Sequence, residues 1–175
     1  TLFPYTTLFR SVRALRQAAG DDPDAVFDDS PFLRPYLAEH LRFLPDELTW
    51  AAGSAWWWGE IDHWAAEDTQ HLPLRALANE YSLSVTQRLA LALTGLLEED
   101  SRFGTLFANL QAPVTSRRPT VELLGRLLQS VDDGADGWRA CRRLVEIGLV
   151  EVVDRRRPRA EWSLRIPHLL WEAAR

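Results

Sequence analysis

Residues 102–129 constrain the fold more tightly than any other stretch of this chain. Phe103, Leu106, Phe107 and Leu110 recur at i, i+3, i+4 and i+7, the spacing of one face of a helix. Pro113 breaks that pattern, and the basic link Thr115-Ser-Arg-Arg-Pro119 follows. Pro119 or Thr120 then opens a second helix, with Val121, Leu124 and Leu128 inward and Leu123 and Leu127 beside them. The stretch reads as two amphipathic helices joined by a basic, proline-stopped linker.

The flanking sequence extends this pattern on both sides. Residues 72–81 and 84–99 read as a helix pair, with Ser84 and Gln87 forming a capping box at the start of the second. That second helix carries Val85, Leu89, Ala90, Leu91, Ala92, Leu93, Leu96 and Leu97, apolar almost all round, so it belongs at the centre of a core. Asp100 is expected to cap the helix that begins at residue 102. Downstream, a helix over 136–147 is predicted to bury Trp138, Cys141, Leu144 and Val145 and to end at Gly148 in the left-handed conformation. Two β-rich runs, 149–153 and 161–166, flank the turn Asp154-Arg-Arg-Arg-Pro-Arg159, which reads as a hairpin with a basic tip. Pro167 starts a short terminal helix through Leu169, Leu170 and Trp171. Three helices and then a hairpin is the winged-helix order. The expected fold is therefore mainly α: a helical bundle containing a winged-helix domain over 71–175, with a C-terminal β-hairpin wing.

The front of the chain differs in character. Residues 12–70 form an acidic, tryptophan-rich segment predicted to be helical. Pro35 opens a helix lined by Tyr36, Leu37, His40, Leu41 and Leu44, and Pro45 stops it. Trp50, Trp57, Ile61 and Trp64 then fall on one stripe, the spacing of a buried helical face. Trp56 and Trp58 lie off that stripe and are candidates for a docking surface. Residues 1–11 match, residue for residue, the frame translation of a common sequencing adapter, so they are expected to be an adapter-derived artefact. With no methionine in the chain, Thr1 is not expected to be a natural start.

Composition narrows the function classes. The chain is 46% hydrophobic and 26% charged, as in globular proteins with enough apolar surface for a core. No apolar run reaches the roughly 18 residues that a membrane-spanning helix needs, so no membrane partner is expected. Cys141 is the single cysteine, which rules out an intrachain disulfide and favours a reducing cytoplasm. All 20 basic residues are arginine. A nucleotide-binding Walker A loop needs a lysine to reach the β- and γ-phosphates, so ATP hydrolysis by these residues is not expected. The faint Walker B likeness of Leu149-Val-Glu-Val-Val-Asp154 carries no weight without that loop. Residues 21–100 hold 16 acids and 4 arginines, whereas 101–175 hold 9 acids and 13 arginines, so only the second half suits an approach to phosphate.

Candidate chemistry concentrates on that basic half. Arg139, Arg142, Arg143 and Glu146 fall on the outer face of the helix before the wing, and Arg155, Arg156, Arg157 and Arg159 crowd the wing tip. Guanidinium groups so placed can hold phosphates from the wing and read guanine from the helix; a solvated helix face and a soluble turn give the same pattern. Residues 74–88 have helix-turn-helix rhythm, but the second helix continues as Leu89-Ala-Leu-Ala-Leu93 and lacks the polar face that groove reading requires. Glu60-Ile-Asp-His63 is one Glu-x-x-His where a di-metal bundle needs two, and His40, His71 and His168 lack ligand spacing. Ser54 sits in no nucleophile elbow. No catalytic, cofactor-binding or metal residue is expected.

Three blocks resemble the winged-helix region that precedes the ATPase module in a group of bacterial AAA-family ATPases. They are Leu72-Pro-Leu-Arg-Ala-Leu-Ala78 with its partner helix, residues 102–129, and residues 138–175 around the wing. The middle block is the most specific, and together they cover a little over half of the chain. The resemblance implies a non-catalytic N-terminal accessory module of a cytoplasmic remodelling or assembly ATPase, some of which are encoded near contractile injection systems. On that reading the ATPase module would begin about where this chain stops, ATP and magnesium would belong only to it, and the partner would be a protein or that module. The alternative is a winged-helix DNA-binding transcriptional regulator.

Overall fold

A computed structural model describes residue 28 and residues 30–35, 73–129 and 136–174. The adapter-like start, the body of the helix expected beyond Pro35, the tryptophan stripe, Glu60 to His63, His71, Trp56 and Trp58 lie outside the described residues. The described part is mainly helical, with one small two-stranded antiparallel sheet. In chain order it contains α1 (Pro73–Glu80), α2 (Val85–Glu99), α3 (Arg102–Leu110), α4 (Val121–Gln129), α5 (Gly137–Glu146), β1 (Glu151–Val152), a single 3-10 turn (Arg159–Glu161), β2 (Leu164–Arg165) and α6 (His168–Ala174).

Local chemistry explains where these helices begin and end. Ser84 Oγ accepts from Gln87 N at 3.2 Å while Gln87 Oε1 accepts from Ser84 N at 2.9 Å, the reciprocal cap expected from the sequence. Ahead of it, α1 closes through Leu83 N donating to Ala78 O at 2.8 Å, with Ser82 at φ +50. Asp100 serves two helices: its N–H ends α2 on Leu96 O, and its Oδ1 accepts from Arg102 N at 2.9 Å as α3 starts. At the start of α4, Thr120 Oγ1 accepts from Leu123 N at 3.2 Å, satisfying one of the orphan donors of a first turn. Gly148 adopts φ +78 and closes α5, as its position predicted.

Every residue of α2 from Leu89 to Leu96 is buried, so this helix does run through the centre of the described core. Its one polar interior residue, Thr94, returns its hydroxyl to Ala90 O at 2.8 Å and so buries no unmatched donor. The most extensive helix pairing is between α4 and α5, and α2 packs against both. The close approach of α4 and α5 depends on glycine: a Cβ on Gly137 would lie 2.3 Å from Gly125 Cα. α6 docks on α2 through Trp171, whose ring fills the space that a Cβ on Gly95 would take. The indole Nε1 donates to Glu99 Oε1 at 2.6 Å. Residues 30–35 add a piece of the acidic front to the same core, since Leu33 is 0% exposed and Phe32 meets Phe103 edge-on at 5.2 Å.

Both strands are shorter than the β-rich runs that predicted them. Leu149 and Val150 turn their N–H groups back to Leu144 O, at 3.0 and 3.2 Å, and so are used in closing α5. In the second run, Glu161 belongs to the 3-10 turn and Trp162 Nε1 folds back to Arg157 O at 2.9 Å. Pairing is left to Glu151↔Arg165 and Val152↔Leu164. A third chain segment completes the sheet edge: Thr120 bridges Ser163, with Val121 N on Trp162 O at 3.0 Å and Leu164 N on Pro119 O at 2.9 Å. β2 thus has neighbours on both sides.

The loop from α3 to α4 is organised by one buried side chain. Gln111 is 5% exposed; its Nε2 donates to Ser116 O and Arg118 O, and its Oε1 accepts from Thr120 N at 3.0 Å. Ser116 in turn meets Ser163 Oγ at 2.7 Å, which joins this loop to β2. Gln111→Ala takes its partner from Ser116 O and Thr120 N, while Arg118 O keeps Ser116 Oγ, so it is expected to cost about 2 to 3 kcal/mol, read from the shift in the urea midpoint. A variant as stable as the parent would show that water replaces the amide without loss.

Candidate macromolecule interface

The surface singled out by sequence is the outer face of α5 and the hairpin beyond it. Asp136 caps α5 by accepting from Arg139 N at 3.0 Å, which fixes the phase of the helix. Gly137, Ala140, Cys141 and Leu144 then face inward, while Arg139, Arg142, Arg143 and Glu146 are all exposed on the outer side. Arg155, Arg156, Arg157 and Arg159 are likewise exposed along the hairpin loop. All seven arginines singled out therefore lie at the surface.

Three of them, Arg139, Arg142 and Arg157, have a carboxylate close by. Arg142 Nε reaches Glu146 Oε1 at 2.7 Å, and Arg139 lies 3.7 Å from Asp136. Arg157 sits between Asp154 at 3.5 Å and Glu161 at 3.4 Å. Arg165 and Glu151, directly opposite in the sheet, pair at 2.7 Å. Exposed pairs of this kind each contribute only ~0–1 kcal/mol, but they place negative charge among the positive on both α5 and the hairpin. Among the described residues no carboxylate pairs with Arg143, Arg155, Arg156 or Arg159.

Trp138 packs against the core less deeply than its spacing predicts. Its spacing with Cys141 put it in the core, as did that of Val145 with its neighbours, yet both are only partly buried. Trp138 packs against the edge of the core and also faces the hairpin, where Trp162 meets it edge-on at 6.0 Å and the Arg159 guanidinium lies 5.6 Å from its ring centroid. This three-residue junction fastens the hairpin to α5. Sequence reasoning missed it because its members are separated by about twenty positions and share no periodicity.

Cys141 lies inside α5 with its thiol pushed up to about 12, chiefly by burial in the core. The sign follows from ionisation of the unfolded chain: its thiol loses a proton near the ordinary value while the folded one does not. Stability is therefore fully present below that ordinary value and falls as pH rises toward about 12. Ellman's reagent at pH 8 is expected to leave the native thiol untouched and to react fully once urea unfolds the chain. Rapid reaction of the native protein would contradict the burial.

Among the described residues no group of three or more His, Cys, Asp and Glu side chains stands close enough to hold a metal ion. His168 is exposed at the start of α6. No helix of the described residues is long and apolar enough to cross a membrane. No family model, curated protein or solved structure matches this chain.

Proposed function

We propose that this chain carries a winged-helix accessory module of a bacterial AAA-family ATPase, acting in the cytoplasm by protein–protein contact and without chemistry of its own. The element order supports the winged-helix part: a helix, the Thr120 bridge, α4, α5, then two paired strands with a basic loop between them. The observation that carries the contact mode is the mixed charge of the outer face. Arg142 with Glu146, Arg157 with Asp154 and Glu161, and Arg165 with Glu151 alternate signs where a DNA-binding face presents nearly unbroken positive charge.

The rival reading, a DNA-binding regulator, draws on Arg143, Arg155 and Arg156, which have no carboxylate partner among the described residues. A mobility-shift titration with duplex DNA between about 50 and about 200 mM salt separates the two. Little or no shift is expected. Tight binding that falls steeply with salt and is abolished by Arg142→Ala and Arg155→Ala would install the rival instead. The ATPase part has its own test in the genomic DNA after codon 175, where the proposal requires an open frame reaching a Gly-rich loop with Gly-Lys-Thr or a close variant.

A further inference from the structure

The junction of wing and α5 has the makeup of a binding hot spot. Trp138 and Trp162 are both half-buried, so each keeps apolar ring surface open to solvent. Neither ring is free to wander: they hold one another edge-on at 6.0 Å, and Trp162 Nε1 is tied to Arg157 O at 2.9 Å. Arg159 is held against Trp138 at 5.6 Å. Tryptophan and arginine dominate the residues that carry interface energy, and surfaces ordered in advance lose little entropy on binding. Around this centre the charges divide. Arg157 is occupied by Asp154 and Glu161, whereas Arg155, Arg156 and Arg159 on the same loop have no carboxylate partner among the described residues.

We propose that this wing root, Trp138, Trp162 and Arg159 with Arg155 and Arg156 beside them, docks an acidic segment of a partner protein. Carboxylates of that segment pair with the three open guanidiniums, and an apolar side chain rests against the indoles. Bidentate carboxylate–guanidinium geometry makes arginine the suited residue for this task. A polyphosphate strand fits less well. Its evenly spaced charges meet Asp154 and Glu161 inside the same loop, and Asp136 at the cap of α5, whereas a peptide can place its acids only where guanidiniums stand open.

The inference rests on the protein-contact reading above and narrows it to one surface. Its test uses the full chain and fluorescence anisotropy with a labelled peptide of alternating Glu and Asp around a central Phe, beside a labelled oligo-dT strand. Saturable, salt-sensitive binding of the peptide is expected. Arg159→Gln, and the double variant Arg155→Ala with Arg156→Ala, should each weaken it at least tenfold with unchanged circular dichroism. Arg88→Ala, an exposed arginine on α2, should leave it unchanged. Absence of saturable peptide binding, or an equal loss in Arg88→Ala, overturns this surface while leaving protein contact elsewhere intact. Tighter binding of oligo-dT than of peptide overturns both this surface and the protein-contact reading.

Discussion

Gly137→Ala is expected to destabilise the protein by about 3 kcal/mol, the upper end of the usual overpacking range, whereas Gly125→Ala is expected to stabilise it. The two glycines face each other where α4 and α5 cross, but the geometry is one-sided. A Cβ on Gly137 would lie 2.3 Å from Gly125 Cα and 3.1 Å from its N, and neither is a side-chain atom that can rotate away. The helices would have to separate along their most extensive contact, opening the layer that holds Leu124, Leu128, Cys141 and Leu144. A Cβ on Gly125 meets nothing within 4 Å. There the substitution only exchanges a poor helix former for the best one, worth up to about 1 kcal/mol. Urea denaturation of both variants reads the two signs directly. Equal effects, or a neutral Gly137→Ala, would mean that the helices do not approach as described.

Trp171→Ala carries a comparable loss. The residue is 5% exposed, and truncating a buried tryptophan typically costs about 3 to 5 kcal/mol. α6 spans only seven residues, and Leu169, its neighbour in sequence, is 82% exposed. Trp171 is therefore the chief anchor of this helix. Gly95 supplies the slot: a Cβ there would come within 2.3 to 2.6 Å of three ring atoms. Gly95→Ala alone should consequently dislodge the ring and cost several kcal/mol, while in a Trp171→Ala background the added methyl group has room. The double variant is expected to be no less stable than Trp171→Ala alone, a strong departure from additivity. Additive losses in that cycle would exclude the ring-in-slot packing.

What sequence made legible, and what it did not, divides along the range of the interactions concerned. The Ser84–Gln87 cap, the left-handed Gly148 and the buried run through α2 are written in neighbouring residues, and each was foreseen. Arg142 with Glu146 is equally local, since i and i+4 adjoin on a helix. The seven arginines were recognised as surface residues by the same logic. Trp138 does pack against the core, but its i, i+3 spacing with Cys141 does not reveal that it stays partly exposed. Its half-exposed position is set by Arg159 and Trp162, which only the folded hairpin brings near. The strands came out short for a related reason: Leu149, Val150 and Trp162 have strand-forming side chains, but their backbone or indole groups are used in closing α5 and folding the loop. The Thr120–Ser163 bridge left no trace, because one residue has no period. Leu33 joins the common core beside Phe103, a contact between distant residues that no local pattern announces.

That single-residue bridge has a consequence for how anything can attach to this protein. With Thr120 on one flank and β1 on the other, β2 offers no bare rim, and β1 itself runs for two residues before the chain leaves the ladder. Among the described residues, an incoming chain finds no more than the two-residue outer edge of β1 along which to extend the sheet. Recognition along this sheet is thereby left to side chains, and so to shape and charge, among the described residues.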